Sequence, residues 1–310
     1  PVGKINQLII YPMTFDEFLY NYKKNTYDFL KNGYNEKKVF NTEIHNDLID
    51  LFNEYLFVGG MPEAVDTFIK YKDNKALAYQ KVSKKLKDIY TNYLNDMDLY
   101  QASSESILRS RLIFRNIYAQ LNKENKNFKC TLIDEKLKNR DLITPIEWLV
   151  TANVVNRSFL LKERVTSPLI ESEESLYRLY LSDMGLFTYQ SGLNAKNFVI
   201  NKTNVLSGIY YENYVSIELV ARDFGLFYWK GKRNSELEFM IDINGTIVPI
   251  DAKKKSGSLN SIEEFRMHNK KDMVIKVSSN NYGYDEQNKI LTIPYYYFAF
   301  YLNELKEDLI

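Results

Sequence analysis

The dipeptide Asn244-Gly245, set between two runs of alternating apolar residues, constrains this 310-residue chain more than any other feature. A two-residue type I′ turn needs positive φ at both positions, which asparagine and glycine accept. The segments 236–243 and 246–253 are therefore expected to form a tight hairpin. Counting outward from the turn, Ile243 faces Thr246, Ile241 faces Val248, Glu238 faces Asp251 and Glu236 faces Lys253. Strict alternation would put Glu236, Glu238, Met240 and Asp242 on one face with Asp251 and Lys253, and Leu237, Phe239, Ile241 and Ile243 on the other. Two carboxylates in one cross-strand pair repel. A divalent cation would offset that repulsion, and a lysine beside them would complete a site suited to phosphodiester cleavage.

Composition narrows the alternatives. The 41 basic and 40 acidic side chains nearly cancel, so no bulk basic field marks a nucleic-acid binder, although a local patch stays open. Cys130 is the one cysteine, which excludes internal disulfides and cysteine-based zinc sites and fits a reducing, cytoplasmic setting. His45 and His268 are too few for a histidine metal cluster. No uninterrupted apolar run reaches the length of a membrane span, and the first residues lack a signal-peptide pattern, so no membrane is expected. With 25 tyrosines and 18 phenylalanines against 12 glycines, the core is expected to be aromatic.

Four regions follow along the chain. In residues 1–24, the run 5–11 reads as a strand with no partner, and Thr14 with Glu17 forms a capping box for the helix after it. A lone strand there suggests a sheet ahead of the first residue. Residues 25–104 have helical spacing throughout, broken at Gly59-Gly60-Met61-Pro62, where Pro62 restarts a helix. Residues 105–194 follow the order of a winged helix: a helix to Leu121, a second opened by Thr144-Pro145-Ile146-Glu147, then β-like runs at 158–162 and 176–181. A DNA reader would aim Arg, Lys, Asn or Gln at base edges from that second helix. It offers Glu147, Thr151 and Asn153, with Arg140 and Arg157 at its flanks, which favours a structural or protein-docking role. Residues 195–310 alternate helix and strand. The expected fold class is α+β, a helical region with a winged helix followed by a mixed α/β layer. No Gly-x-x-x-x-Gly-Lys-[Ser/Thr] loop occurs, so this chain holds no P-loop for ATP.

Glu212 lies in a helix read over 205–222, and its neighbours three, four and seven residues away are small or apolar. Such a glutamate is expected against the sheet, where an unpaired carboxylate is costly. Glu218 has Arg222 four residues on and reads as an exposed ion pair. In the functional reading, Glu238 and Asp251 ligate Mg²⁺ or Mn²⁺, Glu212 holds the same cation directly or through water, and Lys253 orients water or stabilises developing charge. In the alternative, Glu236 pairs with Lys253 while Glu238 and Asp251 face solvent. The loop Trp229-Lys230-Gly231-Lys232-Arg233 sets an aromatic beside three basic residues, a surface for stacking on a base and neutralising phosphate. Its alternative is a buried Trp229 and a solvated basic turn.

The run Glu-x-Glu238-Phe, a short turn, then Pro-Ile-Asp251-Ala-Lys253 resembles the PD-(D/E)XK restriction-endonuclease-like motif. Four other stretches resemble the prokaryotic AAA-like ATPases that carry a C-terminal domain of unknown function. These are Tyr11-Pro12-Met13-Thr14-Phe15-Asp16-Glu17-Phe18-Leu19, Tyr55-Leu56-Phe57-Val58-Gly59-Gly60-Met61-Pro62-Glu63-Ala64, Leu181-Ser182-Asp183-Met184-Gly185-Leu186 and Gly208-x-x-x-Glu212-Asn213. The resemblance implies that residues 1–11 are the tail of a preceding ATPase domain, which alone would bind ATP, and that 195–310 form the nuclease-like domain. It assigns Glu212, Glu238, Asp251 and Lys253 to the site, with glutamate at 238 where the family usually has aspartate. Two functions then compete. One is nucleic-acid binding through the nuclease-like domain, with metal-dependent cleavage. The other is a catalytically inert module of the ATPase that docks a protein partner or self-associates.

Overall fold

The structure is a computed structural model, and it describes residues 8–100, 103–173, 175–200, 206–232, 235–253, 259–270 and 272–307. Six helices come first: α1 (Phe15–Tyr22), α2 (Lys24–Asn35), α3 (Thr42–Val58), α4 (Pro62–Lys70), α5 (Lys75–Tyr100) and α6 (Ser104–Leu121). Then come α7 (Ile143–Thr151), strands β1 (Val155–Leu160) and β2 (Tyr177–Leu181), α8 (Met184–Gln190), α9 (Ala195–Ile200) and α10 (Gly208–Val220). The last part holds β3 (Phe227–Lys230), β4 (Glu236–Ile243), β5 (Thr246–Lys253), α11 (Asn260–His268), β6 (Val274–Ser278), β7 (Gly283–Asp285), β8 (Ile290–Pro294) and α12 (Tyr295–Glu307). The fold is α+β, helices followed by one eight-stranded mixed sheet in the order β2-β1-β3-β4-β5-β6-β8-β7.

That order joins two regions that the sequence reads apart. β1 and β2 form the antiparallel pair expected of a wing, but β1 also pairs in parallel with β3. The wing is thus the edge of the same sheet that carries the hairpin. Its backbone groups find partners in β3 instead of in water, which the order of elements alone cannot reveal. α7 also differs in detail. It starts at Ile143 after Leu142, with no side-chain cap, so Thr144 and Pro145 lie inside the first turn. At the other end of the chain, Leu8, Ile9 and Ile10 are exposed and join no described strand; residues 5–7 of that expected strand lie outside the described residues.

Two helices are apolar nearly all round, the signature of a helix inside a core. In α12 every residue from Tyr295 to Leu302 is buried. In α10 every residue from Ile209 to Leu219 is buried, including Glu212, Asn213, Ser216 and Glu218. Aromatic rings tie both to the helical region: Tyr295 stacks on Phe52 at 5.0 Å and on Tyr211 at 4.7 Å. Such ring pairs contribute about 0.5–1.5 kcal/mol beyond their burial.

The four stretches that carry the ATPase resemblance meet at one joint. Met13 N–H donates to the Gly60 carbonyl at 2.9 Å, and Tyr55 Oη–H to the Met13 carbonyl at 2.9 Å. Gly60 N–H donates to Asp183 Oδ2 at 2.6 Å, while Asp183 Oδ1 accepts from Leu186 N–H at the start of α8. A Cβ on Gly60 would stand 2.0 Å from the Met13 oxygen, so only glycine lets these backbones approach. Asn213 on α10 exchanges two hydrogen bonds with the Leu181 backbone, at 2.9 and 3.0 Å. Most of what makes these stretches recognisable therefore fastens helices to one another, and Asn213 fastens α10 to β2.

Candidate functional site

Asn244 and Gly245 both have positive φ, +50° and +86°, and the hairpin has the register counted from them. The pairs run from Ile243↔Thr246 to Phe239↔Ile250, which puts Glu238 and Asp251 at the next position outward. The strict alternation fails, however. Leu237 and Met240 both pack into a small cluster with Trp229, Ile262 and Phe265, while Phe239 and Ile241 face the large core. The β3–β4 pairing shifts register between Phe227 and Trp229, and so Leu237 and Met240, three residues apart, come to share a face.

Glu238 and Asp251 are both 2% exposed, so neither faces solvent. Lys253 Nζ lies 2.6 Å from Glu238 Oε1 and 3.1 Å from Asp251 Oδ1. Ala252 N–H donates to Glu238 Oε2 at 3.3 Å. Asp251 Oδ1 accepts no well-directed hydrogen bond despite its burial. Tyr295 Oη–H fixes the strand end by donating to the Lys253 carbonyl at 2.7 Å. Burial, and then the Asp251 carboxylate, push the Glu238 carboxyl up to about 8.

The expected Glu236–Lys253 pair does not form. Glu236 instead meets Arg178 Nη2 at 2.6 Å and Lys126 Nζ at 2.7 Å. Glu212 sits against the sheet as expected and shares both partners: Lys126 Nζ at 2.6 Å and Arg178 Nη1 at 3.3 Å. Tyr180 Oη–H adds a hydrogen bond to Glu212 at 2.6 Å. Arg178 is held over the Tyr228 ring at 4.0 Å. The two cations outweigh burial at Glu236 and hold its carboxyl down at about 2, and Glu212 is lowered through the same pair.

The two halves adjoin, since Lys126 and Glu212 both act electrostatically on Glu238. Four carboxylates are thus gathered, and three of the chain's own cations enter among them. A divalent ion bound by carboxylates takes several oxygens at about 2.0–2.6 Å. Here Glu212 and Glu236 already bracket Lys126, and Lys253 bridges the other two. Among the described residues no group of three or more His, Cys, Asp and Glu side chains could hold a metal ion. As arranged, Glu212, Glu238 and Asp251 do not fit Mg²⁺ or Mn²⁺.

The basic loop is not the surface expected. Trp229 has no exposed area and donates its indole N–H to the Glu163 carbonyl at 3.0 Å, so it cannot stack on a base. Lys230 is half-buried and Lys232 exposed, while Arg233 lies outside the described residues. Glu218 and Arg222 are buried as well. Arg222 reaches Glu218 at 2.5 Å and Asp16 at 3.1 Å, and Glu218 accepts from Phe15 N–H at 2.9 Å. An i,i+4 pair looks the same in sequence whether water or two further helices cover it.

Sequence reasoning missed Arg178 and Lys126. A signal existed for the first: an arginine inside Tyr177-Arg178-Leu179-Tyr180-Leu181, buried along its whole length, needs carboxylate partners. Lys126 lies in a polar loop that carries no such sign.

Two family models match the chain. Residues 49–197 match the domain of unknown function DUF8612, and residues 207–296 match the domain of unknown function DUF4143. No curated protein and no solved structure matches. No helix among the described residues is long and apolar enough to cross a membrane.

Proposed function

We propose that this chain is an accessory region of an AAA-type ATPase and works as a non-catalytic module that docks a protein partner or self-associates. DUF4143 is commonly associated with AAA-type ATPases, which supports the first part together with the stretches quoted above. One observation carries the second part. The carboxylates that would bind metal on a nuclease-like scaffold are buried and paired with Lys126, Arg178 and Lys253. The exposed face of α7 supports it further. Glu147 pairs with Arg157 at 2.6 Å, and beside them lies a cavity of about 360 Å³ walled by Ile143, Ile146, Phe159 and Tyr177. Apolar walls with a rim of mixed charge, Glu147 and Glu171 beside Arg157, suit a protein side chain.

A second reading, metal-dependent cleavage of nucleic acid, is favoured by Asp251 Oδ1, buried without a directed hydrogen bond beside Lys253. The deciding experiment incubates the chain with single- and double-stranded DNA and RNA in Mg²⁺ and in Mn²⁺. Intact substrates are expected. Cleavage that Asp251→Asn abolishes would overturn the non-catalytic reading. For the docking reading, light scattering with and without the ATPase domain is the measurement. Association lost in Ile143→Asp and kept in Asp251→Asn supports it, and association unaffected by either argues against that face.

A further inference from the structure

We infer that Lys126 holds the place of a divalent cation, so that this cluster of buried carboxylates is neutralised from within. The inference rests on the reading of the cluster above and adds the residue responsible. Lys126 Nζ lies 2.6 Å from Glu212 and 2.7 Å from Glu236, on two different elements, and only 16% of its side chain is exposed. A lysine on a flexible polar loop would not stay there unaided. Its neighbours pin it: Asn127 Oδ1 accepts from Tyr228 Oη–H at 2.9 Å, and Phe128 N–H donates to the Tyr177 carbonyl at 2.9 Å. The Phe128 ring also stacks on Tyr177 at 5.9 Å. One residue further on, Gln120 at the end of α6 exchanges two hydrogen bonds with the Lys129 backbone. The segment is thus clamped at the three residues that follow the lysine, and the lysine is delivered into the acids.

The charges agree with substitution. Glu212, Glu236, Glu238 and Asp251 face Lys126, Arg178 and Lys253, four acids against three bases. Lys126 and Arg178 serve Glu212 and Glu236 while Lys253 serves Glu238 and Asp251, so each pair of acids has a cation of its own. Removing Lys126 leaves Glu212 and Glu236 short of one positive charge beside Glu238, which shares Lys253 with Asp251. That is a site seeking a hard cation with oxygen ligands.

The test is calorimetric titration of Mn²⁺ into the wild-type chain, Lys126→Met and the double variant Lys126→Met/Asp251→Asn. No saturable heat in the wild type, one site per chain in Lys126→Met and its loss in the double variant are expected. Saturable wild-type binding that Asp251→Asn removes would overturn the inference, because the ion would then coexist with the lysine. A folded Lys126→Met that binds nothing would overturn it too, while leaving the non-catalytic reading intact. If Lys126→Met unfolds, refolding is repeated with Mn²⁺ and with Lys126→Gln. Recovery by the ion supports the inference, and failure of both variants to recover in Mn²⁺ counts against it.

Discussion

α10 carries two buried glutamates six residues apart, and each is neutralised in a different way. Glu218 is served by one arginine from the turn that follows its own helix, Arg222, whose guanidinium also reaches Asp16 on α1, while Asn303 of α12 bonds both Arg222 and Asp16. Glu212 is served by Arg178 from β2 and by Lys126 from a loop 86 residues away. The first network ties three helices together, with every oxygen committed. The second gathers acids from α10, β4 and β5, needs a cation brought in from a loop, and still leaves Asp251 Oδ1 without a directed hydrogen bond. The same physical demand, that a buried carboxylate be paired, yields a locked joint at one end of the helix and an adaptable cluster at the other.

The largest effect should come from the joint. Arg222→Met leaves Glu218 and Asp16 buried without a cation, and removing one partner of a buried pair costs about 3–5 kcal/mol. Chemical denaturation measures it; a loss under 1 kcal/mol would mean that the joint is wet and not locked. Lys126→Met should cost less, about 1–3 kcal/mol, because Arg178 stays on both acids. A loss as large as that of Arg222→Met would erase the distinction between the networks.

pH separates the two ends in a third way. Glu238, Glu218 and Asp183 are pushed up, to about 8, 7 and 6, each mainly by burial. A carboxyl raised in the folded state binds its proton more tightly there than in the unfolded chain. Its contribution is fully present below the ordinary carboxylate range and is lost as pH rises through the raised value. Stability should therefore fall between about pH 5 and pH 9. Glu236, held down at about 2, acts oppositely: its contribution is present above the ordinary range and lost as acid approaches pH 2. Denaturation across pH should show the upper part of the slope flattened in Glu238→Gln and the part near pH 7 flattened in Glu218→Gln. An unchanged profile in both would refute the assignment. The smallest effect is the surface control. Lys24→Ala removes an exposed pair with Asp28 at 2.7 Å and should leave the unfolding midpoint within error of the wild type.

The local grammar of the chain was legible and its crossings were not. Asn244-Gly245 specified the hairpin register, Pro62 the restart of α4, and the apolar neighbours of Glu212 its burial, because each depends on residues close in sequence. Lys126 and Arg178 lie 86 and 34 residues before Glu212, and nothing local says which acid each will meet. The Glu218–Arg222 spacing was read correctly as a pair and wrongly as exposed, since the coverage comes from α1 and α12. Trp229 was open to both readings, and the apolar cluster beneath α11 decided for burial. The break in alternation between Leu237 and Met240 belongs to the pairing of β4 with β3, which no single strand displays.

The most direct test of a self-neutralised cluster is thermal unfolding of the wild-type chain in excess Mn²⁺ and in excess chelator. The account predicts superimposable curves, because Lys126, Arg178 and Lys253 already neutralise the acids. A midpoint raised by Mn²⁺, lowered by the chelator and made indifferent to both by Asp251→Asn would contradict it.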